Sequence, residues 1–353
     1  MSSRYAERVL AHEQDHPAIL AQLTGLGGRR RAIIATEDRW LEFMVAHRAS
    51  IEGAYGVVLA PSNEALGICL DKAAFARWCV ESALPAPRSW SLDDLGGVTL
   101  PALVRPASTL HDRPEIGVPK AVFVESLNDL NDWAGRFRAL GVDALVSESL
   151  LEPRLTQYSI PFARKKGAIT SFVARKVRPP ASWARTGTYV ELLPNAEVER
   201  LARAAVEALD YFGIGEVEIL QSEEDRRCYL IEINARPWVQ YTLAAASGHD
   251  LLGLVLGSHP SSGAKQPRKK GIRWISLRAD LYVCFSGSEG LVARGKQSLA
   301  EYLVSLFKAN AFAHFDLRDP WPAIKEFAAL AGEVIHAIVR RAARIGPGLE
   351  KRP

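Results

Sequence analysis

At 353 residues the chain exceeds what one hydrophobic core usually supports, so its length predicts two or three subdomains burying roughly three quarters of the unfolded surface. Apolar residues at 48% and charged residues at 24% exclude a disordered or fibrous chain. The 44 basic against 40 acidic residues leave a formal charge of +4, too balanced for a sequence-wide nucleic-acid surface but compatible with small anionic ligands. Cys69, Cys79, Cys228 and Cys284 form no CxxC, and no His pairs stand at ligand spacing. They therefore signal neither a disulfide framework nor a zinc site, and read as buried free thiols in a reducing compartment. The amino end lacks the apolar core of a signal peptide, and no run approaches the roughly 20 residues of a membrane helix. The expected location is the cytoplasm, with neither nucleic acid nor membrane as partner.

From the amino end, Arg31-Ala-Ile-Ile-Ala-Thr36 is a short apolar run before Glu37-Asp38, which predicts a buried parallel strand ending in a ligand-holding loop. Residues 39–50 read as a helix and Tyr55–Leu59 as a second strand. Asp71–Ser82 reads as a helix with Phe75, Trp78 and Cys79 at helical spacing, stopped by Leu84-Pro-Ala-Pro87. This alternation predicts a parallel α/β unit over residues 1–85. Residues 86–150 change character: strands at Ala102–Arg105, Ala121–Glu125 and Ala144–Glu148 surround a helix near 127–140, an α+β pattern. A second α+β unit is expected over 151–257. It has a hairpin at 157–176 turning at Lys165-Lys-Gly167, an amphipathic helix at 195–212 aligning Leu201, Ala205 and Leu209, and a second hairpin. Residues 258–270, rich in Pro, Ser and basic residues, read as a linker or mobile loop. Residues 271–353 read as a helical or mixed extension with a helix at 321–342 and a frayed basic tail.

The second hairpin carries the chemistry. Gly215-Glu-Val-Glu-Ile-Leu220 and Cys228-Tyr-Leu-Ile-Glu-Ile-Asn234 are joined by the polar turn Gln221–Arg227. Strand alternation puts Glu216 and Glu218 on one face, opposite Val217 and Ile219, and puts Glu232 and Asn234 opposite Ile231 and Ile233. A turn symmetric about Asp225 sets Glu218 across from Glu232. Like charges so placed destabilise an exposed sheet by up to about 1 kcal/mol, and a cation between them reverses the sign. Two carboxylates and an amide oxygen, completed by water and phosphate oxygens, suit Mg²⁺, and the hard-oxygen set disfavours zinc. Arg236 would place a guanidinium beside the same metal.

With these residues in view, Gly213-Ile-Gly-Glu-Val-Glu218 and Tyr229-Leu-Ile-Glu-Ile-Asn-Ala-Arg236 resemble the metal-binding signature of the ATP-grasp superfamily, in its carboxylate–amine ligase branch. Further segments resemble the family in order across about residues 31–330. Leu70-Asp-Lys-Ala-Ala-Phe75 with Leu84-Pro-Ala-Pro87 resembles the entry to the nucleotide domain. Val104-Arg-Pro106 and Pro119-Lys-Ala121 resemble the two phosphate-binding strands. Leu145-Val-Ser-Glu148, with Leu150 beyond it, resembles the adenine hinge, and Arg175-Lys-Val-Arg-Pro-Pro180 the basic strand and loop beside the substrate. Asp316-Leu-Arg-Asp-Pro320 resembles a C-terminal element of one such group. The resemblance implies an ATP-grasp architecture, with an α/β N-terminal domain and two α+β subdomains enclosing the nucleotide. It also implies an ATP-dependent ligase that joins a small-molecule carboxylate to an amine through an acyl phosphate. Glu218, Glu232 and Asn234 would hold Mg²⁺, with Mn²⁺ as the alternative ion. Arg105 and Lys120 would grip the α- and β-phosphates of ATP, with Lys72, Glu148 and Leu150 also on the nucleotide side. Arg236, with Arg175 or Arg178, would be catalytic, stabilising the transferred phosphoryl group.

The chain departs from the family pattern in places. Arg105 stands where lysine is usual, and Ser108–Val118, where a glycine-rich phosphate-covering loop is expected, holds only Gly117. His111, Asp112 and Arg113 there are either a substituted lid or a solvated loop. A first strand, helix and strand of the N-terminal domain is missing, through a late start or a shortened domain whose sheet edge a second copy would cover, so a homodimer is one expectation. Lys72 is either a nucleotide-side residue or solvated. Trp183, Tyr189 and Trp238 either line a substrate pocket or belong to the core, and Glu37 and Asp38 could attract a substrate amine. Arg29-Arg-Arg31 and Lys269-Lys270 read as solubilising charge. Two other outcomes share the architecture: a kinase or carboxylate–thiol ligase, and a nucleotide-binding scaffold without turnover.

Overall fold

The computed structural model describes residues 3–6, 15–108, 117–150, 155–178, 187–257 and 271–332. The first unit comprises α1 (His16–Gly25), β1 (Gly28–Ile33), α2 (Asp38–Ala46), α3 (Arg48–Ala54), β2 (Tyr55–Val58), α4 (Asn63–Leu70) and α5 (Lys72–Glu81). β1 pairs in parallel with β2, as the alternation of strand and helix predicts. It begins three residues earlier than the apolar run suggests, and Arg29–Arg31 on it are exposed; among the described residues β2 is the one strand paired with it. The helix expected at 39–50 breaks at His47, whose backbone leaves the helical region (φ −120°, ψ 22°) and whose ring packs 4.6 Å from Phe43. α4 escaped the sequence reading, although Ser62 caps it by accepting the Ala65 N–H. Asp71 caps α5 by accepting the N–H groups of Ala73 and Ala74 at 2.7 and 2.8 Å, and α5 buries Phe75, Trp78 and Cys79.

The second unit contains β3 (Ser89–Ser91), β4 (Ala102–Pro106), β5 (Val122–Val124), α6 (Leu127–Ala139) and β6 (Ala144–Glu148). Its four antiparallel strands run in the order β3-β6-β4-β5. Strand alternation turns Ala102 and Val104 into a core with Leu130, Ala134 and Phe137 of α6, and leaves Leu103 and Arg105 on the opposite face.

The third unit is the largest: β7 (Leu155–Lys165), β8 (Ala168–Ser171), β9 (Ala174–Arg178), β10 (Tyr189–Leu192), α7 (Ala196–Ala208), β11 (Gly213–Ser222), β12 (Cys228–Asn234), α8 (Thr242–Ser247), α9 (Leu251–Leu256), β13 (Arg273–Ile275), α10 (Leu277–Phe285), α11 (Leu299–Lys308) and β14 (Ala311–Phe312). Its eight-stranded sheet runs β12-β11-β7-β9-β10-β13-β14, with β8 also paired to β7. The turn between β7 and β8 falls at Lys166-Gly167, both in the left-handed region (φ 39° and 80°). Residues expected to form an extension instead add two strands, because β13 pairs with β10 and β14 with β13. Residues 258–270 and the far end of the helix expected at 321–342 lie outside the described residues, where the helix is seen through 332.

One face of the large sheet, with Tyr158, Ile160, Phe162, Val217, Ile219, Leu230 and Ile233, shares a continuous core with α7 and the N-terminal helices. The other face is covered at one end by α8 and α9, where Ile214, Phe172, Trp238, Leu243, Leu251 and Trp274 pack together. No helix among the described residues is long and apolar enough to cross a membrane.

Candidate active site

β11 and β12 pair antiparallel with Glu216 opposite Asn234 and Glu218 opposite Glu232. The register then slips: Ile219 faces Leu230, so Ile231 is the extra residue of a bulge. The bulge changes the apolar set inferred from simple alternation. Leu230 and Ile233, rather than Ile231 and Ile233, enter the core with Val217 and Ile219, while the carboxylates keep the other face. Gly215 lets the strands close up, since a Cβ there would lie 2.9 Å from the Asn234 carbonyl oxygen and 2.7 Å from Phe162 Cζ.

β7 and β9 complete this face. Ser159 Oγ donates to Glu216 and Gln157 Nε2 to Glu218 Oε2 at 2.7 Å, while Lys176 Nζ lies 2.7 Å from Glu218 Oε1. Asn234 Nδ2 donates to Glu216 Oε2 at 3.1 Å and to Glu232 Oε1 at 3.2 Å. Three carboxylates thus crowd a partly dry surface. Burial, then Glu218, pushes the Glu216 carboxyl up to about 7. Burial, then Glu218, also raises Glu232, against the pull of Lys176, Lys72 and Arg105. Burial alone would lower the Lys176 ammonium, but Glu218, Glu216 and Glu232 outweigh it and hold it protonated.

The sequence-inferred residues divide clearly. Arg236, just past β12, reaches the cluster: its Nη2 donates to Asn234 Oδ1 at 3.4 Å, and its Nε donates to Asp38 Oδ1 at 2.6 Å. Lys72 at the start of α5 and Arg105 on β4 lie near enough to Glu232 for their charges to act on it, and Arg105 Nε is buried with no hydrogen-bond partner among the described residues. Lys120 is exposed ahead of β5. Glu148 pairs with Arg88 at 2.8 Å, and its own N–H goes to the Arg88 carbonyl; Leu150 ends the described part of the second unit.

Arg175 and Arg178 are not brought to the carboxylates. Ser159 faces Ala174 and Tyr158 faces Arg175, so Arg175 takes the Tyr158 side of the sheet, where it pairs with Glu191. Lys176, one residue on, takes the carboxylate side. Arg178 is buried against α10, with Nε and Nη2 on the two oxygens of Asp280 at 2.9 and 2.7 Å, Nη1 on Ser305 Oγ at 2.9 Å, and its guanidinium 4.1 Å from the Tyr189 ring centroid. These bonds tie β9 to the C-terminal helices and leave Arg178 a fastening role. Tyr189 and Trp238 are core residues, Glu37 pairs with Arg39, and Asp38 serves Arg236. His111, Asp112, Arg113, Trp183 and Pro179-Pro180 lie outside the described residues.

Gln157, Ser159 and Lys176 escaped the sequence reading. Period-two alternation separates Arg175 from Lys176, but only the register against β7 says which faces the carboxylates.

Among the described residues, no group of three or more His, Cys, Asp or Glu is placed to hold a metal unaided. Glu218, Glu232 and Asn234 still fit a hard divalent cation shared with a ligand's oxygens. The two carboxylates supply hard oxygens, and a cation would relieve the repulsion from Glu218 that adds to burial in raising Glu216 and Glu232; Asn234 presents Nδ2 to the carboxylates and Oδ1 to Arg236, so its amide would turn over to join them.

No protein-family model matches the sequence, and no curated protein matches it. Solved structures match the fold. An L-amino acid ligase from Bacillus licheniformis aligns over 74% of this chain and 65% of that one, with a TM-score of 0.56 at 15% identity. A biotin carboxylase from Campylobacter jejuni, in a complex with an ATP analogue, aligns over 73% and 61%, with a TM-score of 0.56 at 16% identity. Pyruvate carboxylase of Rhizobium etli aligns over 74% of this chain but 24% of its own, with a TM-score of 0.56 at 17% identity. The chain thus spans less than two thirds of each of these proteins. The sheet topology, matched over some three quarters of the chain, makes this a protein of the ATP-grasp fold.

Proposed function

We propose that the protein is an ATP-dependent ligase that activates a small-molecule carboxylate as an acyl phosphate and joins it to an amine. The observation that carries this reading is Glu218 standing opposite Glu232, with Asn234 beside them, on one face of the large sheet. In the first step a carboxylate oxygen of the substrate attacks the γ-phosphorus of ATP, the bond to the β-phosphate oxygen breaks, and ADP leaves. In the second, the amine attacks the acyl carbon, the carbon–oxygen bond to phosphate breaks, and an amide, phosphate and a proton result. Mg²⁺ held by Glu218, Glu232 and Asn234 would neutralise charge on the ATP phosphates. Arg105 and Lys72, whose charges act on Glu232, would meet the nucleotide phosphates, and Lys120, ahead of β5, would add a second phosphate contact. Arg236 supplies a guanidinium for the transferred phosphoryl group, and Lys176 an ammonium where Arg175 and Arg178 were expected to act.

The Lys176–Glu218 ion pair, which already neutralises one ligand of the metal set, favours a second reading as a nucleotide-binding scaffold. ADP release separates the two, measured with Mg·ATP across a panel of carboxylates and amines, with hydroxylamine added to trap activated acyl groups. The ligase reading requires carboxylate-dependent ADP and a hydroxamate. Mg·ATP binding without ADP over the whole panel would leave the scaffold. Glu232→Gln should abolish Mg²⁺-dependent nucleotide binding, measured by calorimetry, with the melting temperature unchanged or raised because like charges no longer face each other. Full Mg·ATP affinity in that variant would remove Glu232 from the site.

A further inference from the structure

Arg236 lies in the irregular segment after β12, followed by Pro237, so no strand ladder fixes its side chain. What holds it comes from 198 residues away: Asp38, the first residue of α2, accepts from Nε at 2.6 Å and from Nη2 at 3.4 Å. Both oxygens of one carboxylate meet one guanidinium edge, the two-pronged geometry that fixes orientation as well as charge. The pair is largely enclosed, with each side chain 22% exposed. The same Nη2 meets Asn234 Oδ1, and Asn234 Nδ2 meets Glu216 and Glu232. A continuous chain of hydrogen bonds therefore runs from the N-terminal unit into the carboxylate cluster.

We infer that Asp38 is a positioning residue, through which the N-terminal unit orients Arg236 for the phosphoryl group in transfer. This rests on the ligase reading. Asp38 also competes for a charge that Glu216 and Glu232 attract. Without it, Arg236 has two carboxylates of the cluster, Glu216 and Glu232, to attract it and no partner that turns it toward the substrate. The site is then incomplete without the first unit, although that unit contributes no group to the metal set.

The test compares wild type, Asp38→Asn and Asp38→Glu in the full chain by calorimetric Mg·ATP affinity, carboxylate-dependent ADP release and thermal melting. Asp38→Asn should bind Mg·ATP within about threefold of wild type and melt within a few degrees of it, while kcat falls at least about tenfold. Asp38→Glu should recover most of kcat, because it restores the charge with one added methylene. Unchanged kcat in Asp38→Asn, with wild type turning over, overturns the positioning role and leaves the ligase reading intact. A kcat loss matched by a collapse in melting, without rescue by glutamate, reduces Asp38 to a strut and also overturns it. If wild type itself releases no ADP, the ligase reading fails first and takes this role with it.

Discussion

Glu216 is a carboxyl group held in surroundings far from water. It is buried under Ser159 and Asn234 beside Glu218, and is pushed up to about 7 by burial first and by that neighbour second. In the unfolded chain a glutamate titrates near 4.3, so the folded state holds this proton more tightly. The stability it contributes is full below about pH 4 and is lost as pH rises through about 7, amounting to about 4 kcal/mol. Glu216→Gln removes the ionisation and keeps the shape. Its melting temperature should therefore exceed wild type clearly at about pH 8.5 and hardly at all at about pH 5, read by scanning calorimetry. An equal shift at both values would mean that packing, not charge, sets the cost. Lys176 explains why the cluster is tolerated, since its ammonium lies against Glu218 and its stem passes where a Gly187 Cβ would come within 3.1 Å of Cγ.

Among elements, the join between β9 and α10 is the clearest case of a charged pair serving the fold. Arg178 and Asp280 are both buried, and Thr188 Oγ1 adds a donor to Asp280 at 2.7 Å. Removing one partner strands the other in a dry setting, so Asp280→Ala should cost about 3–5 kcal/mol in urea unfolding. Arg178→Met with Asp280→Leu should cost much less, because no charge is left unpaired; an additive loss in the double variant would refute this account. The same sheet shows what a sequence can and cannot disclose. The Glu218–Glu232 pairing was legible because the polar turn Gln221–Arg227 is bounded by two β-branched runs, which fixes a register to within the bulge. The roles along Arg175–Arg178 were not, because they depend on where β9 sits beside β7, a contact between strands separated by a hairpin. The bulge at Ile231 was hidden for a related reason: Leu230, Ile231 and Ile233 are all apolar, so composition does not say which one is extra.

At the scale of the molecule, the cores divide unevenly. The first core runs without interruption from the N-terminal helices through α7 to the large sheet, joining units that the chain order separates. The unit of β3 to β6 has its own core around Val104, Leu130 and Phe137, and turns the Arg105 face of β4 outward. Arg105 is nonetheless close enough to Glu232 for their charges to act on each other, so a bound triphosphate would be gripped by two bodies with separate cores. Contacts made only when both bodies hold one ligand stabilise the less anchored body most, because its local opening then has to break them. Amide exchange in β4, β5 and β6 should therefore slow about tenfold or more with saturating Mg·ATP, while β7 and β11, already enclosed by the first core, change little. On the proposed reading Glu232→Gln should abolish the slowing without altering exchange in the free protein, because it would remove the metal's grip on the phosphates and leave both cores intact. Equal protection of all three sheets by Mg·ATP would show instead that the units move as one.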